Sequence, residues 1–250
     1  MKKILFITGF LVTFLLQAQS AKEFFKKGNE AYKKGDYQAA ITAYEKALQT
    51  DSIAPELYFN LGNAYYKLNR IAPSIYYYEK ALRLKPEDED IRYNLQLANR
   101  MKLDKIEQVP ESVLLRTKKK INKLFGYNTW AWLVILSAFF GFLAFATFLF
   151  TKNTNTKRFS FVGIWLSLFL LIFTWYNAGY GKKLSQEQYA IIFPSKVDLM
   201  TEPNLTSDVV ITLHEGAKIK IIKKDSDWYL VKLPDGKKAW IPQSEIKLIN

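Results

Sequence analysis

Two stretches of this chain carry no charged residue: Trp130 to Phe150, 21 residues long, and Phe159 to Tyr180. At about 1.5 Å rise per residue, a helix of either length covers the roughly 30 Å hydrocarbon core of a bilayer. Uncharged runs of this length seldom form the core of a water-soluble domain. They are expected to be transmembrane helices over 130–150 and 159–180. The link between them, 151–158, is eight residues, so the helices must form a tight antiparallel pair. Trp130, Trp132, Tyr176 and Tyr180 stand where aromatic belts form at a membrane surface.

The placement of charge agrees. The chain of 250 residues has 36 Lys and Arg against 23 Asp and Glu, net +13. That excess flanks the apolar runs: residues 105–129 carry +4 and 151–158 carry +3, while 21–104 and 182–250 carry only +2 each. A nucleic-acid-binding domain would concentrate the charge on a soluble face, so no nucleic acid partner is expected. The absence of cysteine excludes disulfides, thiolate metal sites and cysteine nucleophiles. His214 is the single histidine, which excludes any two-imidazole site and leaves it without a second metal ligand. There is no phosphate loop and no nucleotide fingerprint. The chain is expected to need no cofactor, to hold no catalytic or metal site and not to be an enzyme.

The N-terminus sets a topology. Lys2-Lys3, an apolar stretch from Ile4 to Leu16, and small residues up to Ser20-Ala21 read as a secretory signal over 1–20. An uncleaved anchor is the alternative, although thirteen apolar residues are too few to span a bilayer. Export by this signal puts both flanking regions in the periplasm and the 151–158 loop, with Lys152, Lys157 and Arg158, in the cytoplasm. Basic residues outside the hairpin oppose this: Arg116, Lys118, Lys119, Lys120, Lys123, Lys182 and Lys183, seven against three. The signal takes precedence here as the first targeting element. Within the basic linker 105–129, Val113 to Phe125 alternates apolar and basic residues at roughly helical spacing. It is either a short helix on anionic headgroups, which makes membrane lipids partners, or a solvated linker.

Aligned with itself at an offset of 34, residues 21–54 match 55–88 at 11 identical positions. Among them are Phe25/Phe59, Gly28/Gly62, Asn29/Asn63, Tyr32/Tyr66, Lys33/Lys67, Tyr44/Tyr78 and Ala47/Ala81. A repeat of this length is a helix–turn–helix unit. Gly28 and Gly62 allow a partner helix to approach, Gly35-Asp36 separates the helices of the first copy, and Pro73 marks where the second helix of the next copy begins. Glu89 to Met101 supplies a capping helix, giving 21–104 as a short array. The residues Tyr58-x-x-Leu61-Gly62-x-x-Tyr65, Tyr78, Ala81 and Pro86 resemble a tetratricopeptide repeat. In that family an offset stripe of the first helix lines a peptide-binding groove. The resemblance places Phe25, Asn29, Tyr32, Lys33, Phe59, Asn60, Asn63, Tyr66 and Lys67 there. Asn29 and Asn60 match asparagines of carboxylate clamps, but Phe25, Asp90 and Asn94 stand where the clamp's basic residues would be. An extended or helical peptide held by aromatic and amide contacts is therefore expected, against the alternative that the identities only record duplication.

From Tyr189 the pattern changes to period two, with short apolar strands broken by Pro, Asn and Gly and a hairpin signal at Pro234-Asp235-Gly236. Five or six strands in 184–250 indicate a small all-β barrel. The segments Leu213-His214-Glu215-Gly216, Asp227 to Lys232 and Ala239-Trp240-Ile241-Pro242 resemble a bacterial SH3-type domain. Trp228, Trp240 and Pro242 form a shelf for a proline-rich or cell-wall peptide, or else pack the barrel.

The fold class is thus a multidomain membrane protein: an all-α tetratricopeptide array, a two-helix transmembrane hairpin and a small all-β SH3-like barrel. That order of parts, with Trp-Ala-Trp at the hairpin, resembles the BatE proteins of the Bacteroides aerotolerance (Bat) operon over nearly the full length. The resemblance implies a non-enzymatic scaffold in the bacterial inner membrane, acting with Bat proteins that bear von Willebrand A-type domains and with a MoxR-type ATPase. The alternative is a cell-wall sensor that binds peptidoglycan through its SH3-like domain.

Overall fold

The structure, a computed structural model, describes residues 21–50, 54–104, 106, 110 and 112–249. The expected signal segment lies outside them. The chain divides into two compact units: Met1–Gln108 together with Gln188–Asn250, and Val109–Glu187.

The first unit begins with five helices. Helix α1 is helical over 21–33, followed by α2 (Tyr37–Leu48), α3 (Pro55–Lys67), α4 (Ile71–Leu84) and α5 (Glu89–Arg100). Their starts follow from local chemistry. The Asp36 carboxylate accepts from the Ala39 amide at 2.9 Å, and that of Asp88 accepts from the Ile91 amide at 3.1 Å. Each satisfies an amide that the first turn leaves unpaired. Pro55 opens α3, where a missing N–H loses nothing. Helix α4 starts two residues ahead of Pro73, which still falls in the first turn and so breaks no ladder bond. The two repeated glycines set the helix spacing. A Cβ on Gly28 would lie 2.3 Å from the Tyr44 ring, and one on Gly62 would lie 2.6 Å from that of Tyr78. Only a residue without a side chain lets each aromatic ring sit on the backbone of the preceding helix.

Seven strands follow: β1 (Tyr189–Ile192), β2 (Lys196–Met200), β3 (Val209–His214), β4 (Lys218–Asp225), β5 (Trp228–Lys232), β6 (Lys238–Pro242) and β7 (Ile246–Ile249). They form one antiparallel sheet in the order β3-β2-β6-β5-β4-β1-β7. All seven contribute to a single core containing Ile192, Leu199, Leu213, Ile219, Val231, Ile241 and Ile246, so the sheet rolls around it. Strand β7 exceeds the five or six expected. It follows a short 3-10 turn, Gln243–Glu245, and its four residues are too few for alternation to stand out.

The sheet packs on one stripe of α4. Ile71, Ile75, Glu79 and Arg83 recur every fourth residue, which aligns them along one side of a helix. Ile75 is fully buried in a cluster with Leu95 and Ala98 of α5, Ile191 of β1 and Ile249 of β7. Lys218 donates to Glu79 at 2.7 Å, and the Arg83 guanidinium donates to the Ile249 carbonyl. Gly216 sits at φ +81, and a Cβ there would fall 2.9 Å from Ile75. After α5, both oxygens of Asp104 accept from His214, one from its amide at 2.6 Å and the other from Nδ1 at 2.9 Å. Ile106 packs against the sheet core. The stripe of α2 one repeat earlier, Tyr37, Ile41, Glu45 and Gln49, is used differently. Ile41 packs among Leu57, Leu61 and Tyr65 of α3, and Glu45 accepts from the Tyr65 hydroxyl at 2.7 Å. On α4 the sheet therefore covers part of the side that the next repeat covers on α2. In this way a two-repeat array acquires a complete end.

The second unit contains α6 (Val113–Lys123), α7 (Tyr127–Phe150) and α8 (Thr154–Ser185). Helices α7 and α8 are long and apolar enough to cross a membrane, and little of either apolar window is buried. Their arrangement inverts that of a soluble pair. The interface holds Ser137, Ser160, Ser167, Thr174 and Ala178, while Phe140, Phe142, Trp165, Phe169 and Trp175 face outward. Thr147 and Ser160 share a hydrogen bond at 2.9 Å, and Ser167 donates to the Ser137 carbonyl at 2.5 Å. Small residues that allow close approach, with hydroxyls bonding across, are the means by which helices associate in lipid. Helix α8 also takes in residues 154–158 of the expected link. Asn153 caps it, accepting from the amides of Asn155 and Thr156, so that 151–153 alone makes the turn.

Candidate functional site

The repeats build a cleft from a recurring hydrogen-bond pattern. Asn29 Oδ1 accepts from the Tyr44 hydroxyl at 2.8 Å and from Asn60 Nδ2 at 3.0 Å. One repeat later, Asn63 Oδ1 accepts from the Tyr78 hydroxyl at 2.7 Å and from Asn94 Nδ2 at 3.0 Å. Two donors saturate each carbonyl oxygen and fix the orientation of the amide. Among the described residues no acceptor is assigned to the Nδ2 atoms of Asn29 and Asn63. Burial pushes the Tyr44 hydroxyl up to about 12 and that of Tyr78 upward as well, so both remain donors at neutral pH.

The cleft has a volume of about 300 Å³ and is lined by Tyr32, Asn63, Tyr66, Lys67, Tyr78, Asn94 and Leu97. Four of the nine expected groove residues meet there: Tyr32 from α1 and Asn63, Tyr66 and Lys67 from α3. Phe25 and Phe59 instead rest on Tyr44 and Tyr78, with ring centroids 5.9 Å apart in both repeats, and are half-buried. The Asn60 amide is taken up by Asn29. Lys33 is exposed and does not line the cleft. Leu97 was missed because it follows the two recognised copies. Asn94 was legible, since it stands 34 residues after Asn60 and repeats its bond. The cleft combines aromatic walls, free amide N–H groups and one lysine, a set suited to backbone carbonyls and apolar side chains of a peptide.

The second candidate surface is on the sheet. Trp228 pairs with Pro242 and Leu230 with Trp240 across β5 and β6, while Tyr229, Val231, Ala239 and Ile241 between them point into the core. Period two thus puts Trp228, Leu230, Trp240 and Pro242 on the outer face. The Lys223 ammonium lies 5.0 Å from the Trp240 ring centroid at its margin. Strands β5 and β6 are inner strands, whereas β1 and β7, which meet α4, form one end of the sheet. The docking thus involves that end of the sheet, and Trp228, Leu230, Trp240 and Pro242 are each half-buried. His214 has a structural partner in Asp104, and no cluster of three metal-ligating side chains occurs among the described residues.

No curated protein matches the chain. Residues 28–69 match the family model described as TPR repeat, residues 55–88 that described as Tetratricopeptide repeat, and residues 195–247 that described as Bacterial SH3 domain. The chain thus carries tetratricopeptide repeats and a bacterial SH3 domain, together with two helices long and apolar enough to cross a membrane.

Proposed function

We propose that the protein is a non-enzymatic, membrane-anchored adaptor of the bacterial envelope. The repeat cleft takes an extended peptide or a loop of a partner protein, and the α7–α8 hairpin holds that contact at the inner membrane. One observation carries the reading: the sheet docks on the outer stripe of α4 and leaves the aromatic and amide cleft open. Repeats of this family and bacterial SH3 domains are interaction modules, in keeping with an adaptor. The docking also bears on topology. The repeats precede the hairpin and the sheet follows it, so a single unit containing both requires one side of the membrane, as two crossings provide. A secretory signal over 1–20 makes that side the periplasm and puts the link 151–158, with its turn at 151–153, in the cytoplasm. The order of parts, similar to that of BatE proteins, supports partners among Bat membrane proteins with von Willebrand A-type domains and an associated MoxR-type ATPase system.

A second reading, a cell-wall sensor, is favoured by the half-buried Trp228, Leu230, Trp240 and Pro242 on the outer face of the sheet and by the bacterial SH3 match. Pull-down from solubilised membranes separates the two. Loss of partners in the Tyr32→Ala/Tyr66→Ala variant, with retention in Trp228→Ala, is expected for the adaptor. Retention in the tyrosine variant refutes it. Co-sedimentation of the full chain with peptidoglycan, lost in Trp228→Ala, would favour the sensor. Compartment-specific reporters fused after residue 104 and at the C-terminus test the topology. Opposite compartments would refute it.

A further inference from the structure

Helix α6 presents three distinct sides. One is fixed to the hairpin. Asn122 is buried and donates to the Asn177 carbonyl at 2.7 Å, and its own carbonyl accepts from Trp130 Nε1 at 3.0 Å. Lys118 lies 4.5 Å and 3.9 Å from the ring centroids of Tyr176 and Tyr180. These partners stand at the first turn of α7 and near the end of α8, where the apolar windows give way to polar flanks. The second side is basic: Arg116, Lys120 and Lys123 at i, i+4 and i+7, all exposed. The third is apolar, with Val113 79% and Leu114 81% exposed at the start of the helix and Leu124 exposed just past its end. From Ser112 to Gln186 the sequence contains no Asp or Glu, so no carboxylate of this unit's helices answers these cations. Lys182 and Lys183 add to them at the same end of the hairpin.

A leucine four-fifths exposed next to a triad of cations is unfavourable in water. It is favourable at a bilayer surface, where the apolar side enters the acyl boundary and the cations meet phosphates. From this we infer that α6 is an anionic-lipid binding element: a helix clamped to the hairpin at Asn122 that lies in the interface and gathers phosphatidylglycerol-type headgroups on Arg116, Lys120 and Lys123. The clamp distinguishes it from a free basic tail. Its orientation is set before lipid arrives, so the ordering cost is already met and headgroup selectivity falls to three defined side chains. Each cation near an anionic surface strengthens binding about fivefold, so neutralising all three lowers the preference by about 100-fold. The inference rests on the proposed membrane insertion of the hairpin.

The cysteine-free chain permits single spin labels in the full-length protein. Leu114→Cys reports on α6 and Phe142→Cys on α7, in nanodiscs of phosphatidylcholine alone or mixed equally with phosphatidylglycerol. The expected result has two parts. The α7 label is reached by oxygen and not by a water-soluble relaxant in both membranes, and the α6 label becomes so only in the anionic one. Arg116→Gln/Lys120→Gln/Lys123→Gln should abolish that difference. An α6 label equally wet in both membranes overturns the inference while leaving the hairpin inserted. An α6 label equally shielded in both overturns the anionic commitment, and one shielded from both reagents means that protein covers the face, which also overturns it. An α7 label open to the aqueous reagent would instead refute the membrane reading itself.

Discussion

If the sheet completes the repeat array, Ile75 is the residue through which the two communicate. Ile75→Ala removes three carbons from a fully buried side chain that touches α5 on one flank and β1 and β7 on the other. Truncations of this kind destabilise by roughly 2–5 kcal/mol. Even the lower figure corresponds to about a 30-fold change in an opening equilibrium. Amides of Tyr189–Ile192 and Ile246–Ile249 should therefore exchange at least tenfold faster in the variant when followed by hydrogen–deuterium exchange in detergent. The repeat supplies its own control. Ile41 stands 34 residues earlier, is equally buried and packs against α3, so Ile41→Ala makes a comparable cavity with no strand beside it. It should loosen α2 and α3 and leave β1 and β7 largely unchanged. Exchange in the sheet that is indifferent to Ile75→Ala, or that responds equally to Ile41→Ala, would refute the coupling.

Gly216→Ala should lower the melting temperature of the first unit by forcing a side chain into positive φ and against Ile75, a penalty of about 1–2 kcal/mol or more. Gly62→Ala should push Tyr78 off the α3 backbone at about 1–3 kcal/mol and weaken its bond to Asn63. Partner capture by the cleft should fall with it, and unchanged circular dichroism melting would count against the packing argument. Alkaline pH should unfold the array. Burial first, then the neighbouring Tyr32, raises the Tyr44 hydroxyl to about 12, and Tyr65, Tyr77 and Tyr78 shift the same way. The folded state then holds the proton more tightly than the unfolded state, whose tyrosines ionise near 10. Their contribution is complete below about pH 10 and is lost as pH climbs from 10 towards 12. Tyrosinate absorbance rising at the ordinary value while helix content persists would contradict it.

Much of this protein is written in one-dimensional patterns. Two uncharged runs mark α7 and α8, because about 20 consecutive apolar residues give a helix long enough to cross a bilayer whatever lies elsewhere. The offset of 34 fixes the helix pairs, because each pair solves one packing problem and the solution is copied, glycine and tyrosine together. Period two and Pro234-Asp235-Gly236 announce the sheet for the same local reason. Other features depended on distance in space. Nothing near Ile71, Ile75, Glu79 and Arg83 indicates that they meet Gly216, Lys218 and Ile249, and the same stripe in the first repeat packs on a helix. Likewise Asp104 and His214 are 110 residues apart and become partners only when α5 ends beside β3. In the repeats, the recurring asparagine was visible at Asn29 and Asn63, but which rings line the cleft and which lie on Tyr44 and Tyr78 was settled by packing. The division has a physical basis. Secondary structure, and the length and apolarity that would let a helix cross a bilayer, follow from periodicity and transfer energies summed along the chain. The docking of two elements depends on the shape and unsatisfied groups of surfaces that exist only after each has folded.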